Sequence, residues 1–357
     1  MAGLFTWRRA QWLAVPLLVL GLAEWFVRQT ADRVPTWYGA AQRLAAEGPI
    51  GVVLVGSSRV QAAVLPADFA AELGGTALAG RQVLNLARGY STDAEHYLGL
   101  RNLLQGHPAA LRGVQVLAEA TGGVPFRTTW RDHGWAQEQQ PWMLVDLLSP
   151  SDLPAFLRSA QLGLGTRLHV SLRVLLRPVR LFNRRERVRQ QWLEQVLPTV
   201  AAGQLPDLTP NEPVGFDLQG PGAASSIRVD PQAVALARAS ALQVGEMLER
   251  HQAPMREWHG TVQEDLVRLV RDHGGRLVFF EPPLSEVFQR AYRTPLRRED
   301  VVLFGVQAGA WSSCVVRPDF QFVDDDLPDL WHLRPELAPE FSRALARAFL
   351  RDCPPAP

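Results

Sequence analysis

Two short stretches, far apart in the chain, carry the residue types of nucleophilic catalysis. Near the start, Gly56-Ser57-Ser58-Arg59 follows directly on the apolar run Gly51-Val-Val-Leu-Val55; near the end stands Asp329-Leu-Trp-His332. A serine hydroxyl becomes a nucleophile when a base takes its proton, and a histidine oriented by a carboxylate is a common base. Asp and His three residues apart on a tight turn can lie side by side. The carboxylate then holds the Nδ1 proton and leaves the other ring nitrogen facing a serine. Each stretch also has a plainer reading: a strand-to-loop turn whose hydroxyls satisfy the backbone, and a surface Asp–His pair beside a helix start. Their conjunction makes Ser58, His332 and Asp329 the candidate nucleophile, base and orienting group.

The elements that would position them read as an α/β chain. The run ending at Val55 is short, apolar and valine-rich, the pattern of a buried parallel strand. Gly56 then allows a turn that a side chain would obstruct. Such a turn sets Ser58 at the C-terminal edge of a sheet, where open α/β folds place their sites. A helical turn beginning after Ser58 would add free N–H groups able to hold an oxyanion. Further strands are expected at Arg81–Ala87, Val114–Ala118 and Arg276–Phe280, with an extended piece at Ser313–Val316. Helices are expected at 31–49, 66–73, 92–104, 261–272 and after Pro339, with Thr92 and Glu95 at capping-box spacing. Strand–helix alternation predicts a doubly wound parallel sheet.

Between about residues 126 and 254 the α/β alternation stops, and the pattern predicts a helical insertion or cap in its place. The segments 142–148, 153–164, 170–181, 188–197 and 232–250 read as helical, and 204–226, rich in Pro and Gly, as a long loop. The basic run Arg184–Arg189 reads as a solvated helix face, with contact to an anionic lipid or polymer as the alternative.

The N-terminus predicts a membrane anchor. Arg8 and Arg9 precede an apolar run from Ala10 to Val27 that Trp7, Trp12 and Trp25 bracket. No small-residue cleavage site follows it, which favours an uncleaved helix over residues 1–30 and a body, residues 31–357, outside the cytoplasm. A core helix in a soluble cytoplasmic protein is the alternative. Cys314 and Cys353 suit an oxidising compartment as a single bridge if they meet. A net charge of +1 argues against a general nucleic-acid binder. All 37 basic residues are arginine, which excludes mechanisms through a Schiff-base or phosphate-loop lysine.

Taken together, Gly56-Ser57-Ser58 after the first strand and Asp329-Leu-Trp-His332 before the last helix resemble the SGNH (GDSL-like) hydrolase superfamily. The likeness covers roughly residues 50–125 and 255–350. It is closest to a membrane-anchored branch that modifies envelope polymers, such as the alginate O-acetylation proteins and the teichoic-acid D-alanyl transfer protein. It implies an SGNH-type fold and a serine esterase or O-acyltransferase of the cell envelope, needing no metal or organic cofactor. The substrate would be an envelope polysaccharide or another acyl ester. Whether a membrane partner delivers activated acyl groups stays open, as does a catalytically silent member that binds polymer or scaffolds an envelope complex.

The resemblance also implies an oxyanion hole from the N–H groups of Ser58 and Gly89. The family's Gly-x-Asn-Asp motif after the third strand is absent, and Ala118-Glu-Ala-Thr-Gly122 stands there instead. Asn85 is a candidate substitute donor, with capping of a strand end as its other reading. Arg59 either approaches an anionic substrate or pairs with a surface carboxylate. His96 and His259 read as surface residues, and Asp324-Asp325-Asp326 as a solvated loop rather than a cation site.

Overall fold

The computed structural model describes residues 18–25, 37–88, 93–119, 144–158, 162–177, 262–283, 285, 314–323, 326–327 and 332–355. In chain order these form α1 (18–25), α2 (Trp37–Glu47), β1 (Ile50–Val55), α3 (Ser58–Ala63), α4 (Pro66–Ala71) and β2 (Gln82–Asn85). There follow α5 (Asp93–Gly106), β3 (Gln115–Glu119), α6 (Leu144–Leu147), α7 (Leu153–Leu157) and α8 (Leu164–Leu175). Last come α9 (Val262–Asp272), β4 (Arg276–Phe280), β5 (Val315–Val316) and α10 (Ala338–Asp352). The expected helices at 188–197 and 232–250, the loop at 204–226 and the basic run at 184–189 lie outside the described residues.

The five strands form one sheet in the order β2-β1-β3-β4-β5, with every pairing parallel. All six residues of β1 are buried, as a central strand covered on both faces requires. The connection from β1 to β2 runs one way across the sheet and that from β2 to β3 runs back past β1. Right-handed crossovers therefore send α3 and α4 to one face and α5 to the other. Contacts agree: α10 packs on α3, α4 and β5, whereas α5 packs on α2 and α9.

Alternation along the strands divides the core accordingly. Val52, Leu54, Val83, Leu117, Val278, Phe280 and Val316 share one buried cluster with Val60, Val64, Phe69, Phe341, Leu345 and Phe349. In α10, Phe341, Leu345, Ala348 and Phe349 recur at helical spacing and form its inner face.

Helices α4 and α10 run side by side in the same direction, as their ion pairs show: Arg343 meets Asp68 at 2.7 Å and Arg347 meets Glu72 at 2.9 Å. Because α4 descends from the C-terminal edge of the sheet toward the start of β2, so does α10. Its start therefore lies at the C-terminal edge, where the Ser342 hydroxyl accepts from the Leu65 N–H at 2.8 Å. Its end lies at the N-terminal edge, where Cys353 is disulfide-bonded to Cys314 beside β5. The two cysteines thus meet, with Cα atoms 5.8 Å apart.

The chain divides into two compact units. One holds the sheet with α2 to α5, α9 and α10. The other holds α1, α6, α7 and α8, in which α8 packs on both α6 and α7. Within this smaller unit, Arg177 donates to the carbonyls of Val145 and Leu148, and Arg167 to that of Leu157. No described helix is long and apolar enough to cross a membrane. Of the apolar N-terminal run, only residues 18–25 are among those described.

Candidate active site

The strand order reverses between β1 and β3, and a crevice for a ligand forms at the C-terminal ends of such a strand pair. Here those ends carry Gly56-Ser57-Ser58 and Glu119. Val55 pairs with Ala118, so the turn after β1 and the last residue of β3 are brought side by side. Glu119 stands two residues beyond Leu117 and continues the row that faces α3.

Glu119 organises the turn. One carboxylate oxygen accepts from the Ser57 N–H at 2.5 Å, and the other lies 2.5 Å from an Arg59 guanidinium nitrogen. Both side chains of this ion pair are buried, at 10% and 7% exposure. Ser57 caps α3, its hydroxyl accepting from the Arg59 N–H. The reason for glycine at position 56 is space. A Cβ there would lie 2.7 Å from Glu119 Oε2 and 2.6 Å from Val60, so any side chain would push the carboxylate away from the turn.

The other side of the turn is held as firmly. The Gly56 carbonyl accepts from the Arg88 N–H at 3.1 Å and from His96 Nε2 at 3.0 Å. Arg88 pairs at 3.4 Å with Glu95, and both side chains are almost wholly buried. Burial lowers the Arg88 guanidinium from its ordinary value, and Glu95 offsets part of that. Ser58 is thus the half-buried first residue of a helix whose preceding turn is fixed at both peptide ends. As a first helical residue, it has an N–H without an intrahelical acceptor.

The late stretch arrives at the same edge. His332 is half-buried, and the next residue, Leu333, is buried in the cluster to which Val60, Ala63 and Val64 of α3 belong. The 3₁₀ turn Pro335–Leu337 that follows touches α3 itself. The structure therefore brings the segments of Ser58 and His332 to one edge and one face of the sheet. Asp329 and Gly89 lie outside the described residues, as do His259, Asp324 and Asp325.

Three sequence expectations are corrected here. Asn85 is no oxyanion donor: its amide donates to the Val60 and Val64 carbonyls, at 3.3 and 2.8 Å, and its oxygen accepts from the Ala87 N–H. It ties the end of β2 to α3, which agrees with its capping alternative. Arg59 pairs with a buried carboxylate, not a surface one, and is itself buried at 8% exposure, so it does not reach outward to a substrate. His96 is half-buried, not freely exposed, and its Nε2 holds the backbone of the turn.

Sequence reasoning passed over Glu119 and Arg88, and read Glu95 as a helix-capping residue where the structure pairs it with Arg88. A usable signal existed for Glu119, as a carboxylate ending an apolar strand whose neighbour ends in Gly-Ser-Ser-Arg. Another existed for His96, which with Leu100 and Leu103 continues the inward stripe of α5. Among the described residues no group of three or more metal-ligating side chains converges. No protein-family model matches this chain, and no curated protein matches it.

Proposed function

We propose that this chain is a serine-dependent acyl-ester hydrolase or O-acyltransferase of SGNH type, attached to a membrane and acting outside the cytoplasm on an envelope glycan or related ester. The observation that carries this reading is the convergence of two segments from opposite ends of the body on one edge and one face of the sheet, beside α3. In the proposed reaction His332 takes the Ser58 proton while Oγ attacks the ester carbonyl. The leaving alcohol receives that proton, and an acyl-serine remains. Water or a glycan hydroxyl, deprotonated by the same imidazole, then releases the acyl group. Asp329 orients the imidazole, and the N–H groups of Ser58 and Gly89 receive the oxyanion.

The rigid turn supports this reading, because a nucleophile fixed before the reaction avoids reorganisation during it. The Cys314–Cys353 bridge supports the compartment, since such bonds persist where conditions are oxidising. The apolar N-terminal run supports the attachment. A fluorophosphonate probe tests the chemistry. Labelling of the folded protein that vanishes in Ser58→Ala, with a rate loss of about a thousandfold or more on a model ester, is the expected result. Absence of labelling in folded wild-type protein would overturn it.

A second reading, a silent polymer-binding or scaffold protein, draws on the commitment of Asn85 to the backbone. That leaves the hole without the one substitute donor found on β2. Polymer binding unchanged in Ser58→Ala, without labelling, is its expected signature.

A further inference from the structure

Helix α8 carries Leu164, Leu168, Leu172 and Leu175, all among the exposed large hydrophobic residues, at 48% to 60% exposure. At about 100° per residue they fall within roughly 80° of the helix circumference. Val170, Ser171 and Val174 form a separate buried side that seats the helix on its own unit. The leucines are therefore a second apolar face, additional to the one its own fold requires.

The charge around that face has one sign. From Leu164 to Arg177 the chain contains Arg167, Arg173 and Arg177 and no carboxylate. The exposed His169 lies beside the stripe, and the half-buried Arg173 lies on the side of the helix away from it. Arg167 and Arg177 also donate to carbonyls of their own unit, but a leucine stripe on a helix whose only charges are positive is the pattern of one lying in the boundary between lipid head groups and acyl chains. The same compact unit also contains α1, where Leu18, Val19, Leu20, Leu22 and Trp25 are exposed. Those side chains spread over roughly 220° of the helix circumference, a wider apolar surface than a one-sided protein groove requires, with Glu24 in the remaining arc.

We propose that α8 is a second membrane contact, lying in the plane of an anionic lipid surface with its four leucines buried in it. The inference rests on the reading of the chain as membrane-attached, and it adds that the smaller unit is held by its surface as well as by a tether.

The test uses the full chain with a single introduced thiol. Cys314 and Cys353 are the chain's two cysteines and are bridged, so Leu168→Cys or Leu172→Cys provides one site for an environment-sensitive fluorophore. The labelled protein is mixed with vesicles of phosphatidylglycerol and phosphatidylcholine, with and without lipid carrying a quencher on its acyl chains. Flotation with the vesicles reports attachment, and quenching reports α8.

The expected result is a blue-shifted emission at both positions, most of it lost to lipid-borne quencher, while a label at Thr166→Cys stays aqueous and unquenched. Vesicle-bound protein with unquenched, water-like emission at 168 and 172 would overturn the inference while leaving the attachment standing. A blue shift that lipid quencher does not touch would also overturn it, since another copy of the chain or another segment would then cover the stripe. Failure to float would sink attachment and inference together. A variant whose melting differs from the parent is replaced by Leu175→Cys, which reads the same stripe.

Discussion

The two edges of the sheet are stabilised in different ways. At the C-terminal edge, Arg59, Arg88, Glu95 and Glu119 are buried charges, each ion-paired. At the N-terminal edge the chain is closed by a disulfide between buried cysteines and by the aromatic packing beneath α10. Buried ion pairs are weak contributors to net stability, because the loss of hydration offsets most of their attraction. Their contribution is geometric: Glu119 holds the residues on either side of Ser58, Ser57 through its N–H and Arg59 through its side chain. One edge thus holds a conformation, and the other holds the fold together.

The sharpest way to break this contrast is Glu119→Ala. It removes the carboxylate from beside the buried Arg59 guanidinium and the acceptor from the Ser57 N–H. A loss of about 3–5 kcal/mol in denaturant unfolding is expected, together with loss of serine-probe labelling in the protein that remains folded. The matching change at the other edge is the double variant Cys314→Ser and Cys353→Ser. A sequence separation of 39 residues corresponds to about 4 kcal/mol of loop entropy. Stability falls by a similar amount, but labelling of the folded fraction is retained. If both variants lost labelling equally, the division between the edges would fail.

Smaller changes sharpen the contrast. His96→Ala removes one of two donors to the Gly56 carbonyl and is expected to cost about 1 kcal/mol. It should slow labelling more than that loss of stability alone accounts for. Smallest is Glu281→Gln, at the end of β4. Burial raises this carboxyl above its ordinary value, more than Arg317, 3.6 Å away, lowers it. A raised folded value favours folding most at pH below the unfolded carboxylate range, and that advantage is lost as pH rises through the folded value. The neutral glutamine therefore gives a slightly higher Tm at pH 7, and the gain disappears below about pH 4.

Much of the sheet could be read directly, because runs such as Gly51–Val55 and Arg276–Phe280 are buried on both faces and carry their own signal. The pairing of Ser57 and Arg59 with Glu119 could not, since Ser57 and Glu119 are 62 residues apart in the chain. They become neighbours only through the strand order β2-β1-β3, which local patterns do not encode. The partners of Asn85 were hidden for a similar reason. Its alternative as a strand-end cap was visible, but the carbonyls that claim it belong to α3, 21 and 25 residues away. Gly56 illustrates the reverse case: the expected obstruction was right, and the structure adds that the crowding comes from Glu119.

Helix α10 has a consequence for how the protein is made. Leu65 and Ser342 are 277 residues apart, so the end of α3 lacks its hydroxyl partner until the segment carrying Ser342 has emerged. A chain cut short before residue 332 would present Ser58 without the candidate imidazole of His332. Synthesis from the N-terminus therefore delays the assembly of any Ser58–His332 chemistry until long after Ser58 itself has been added to the chain.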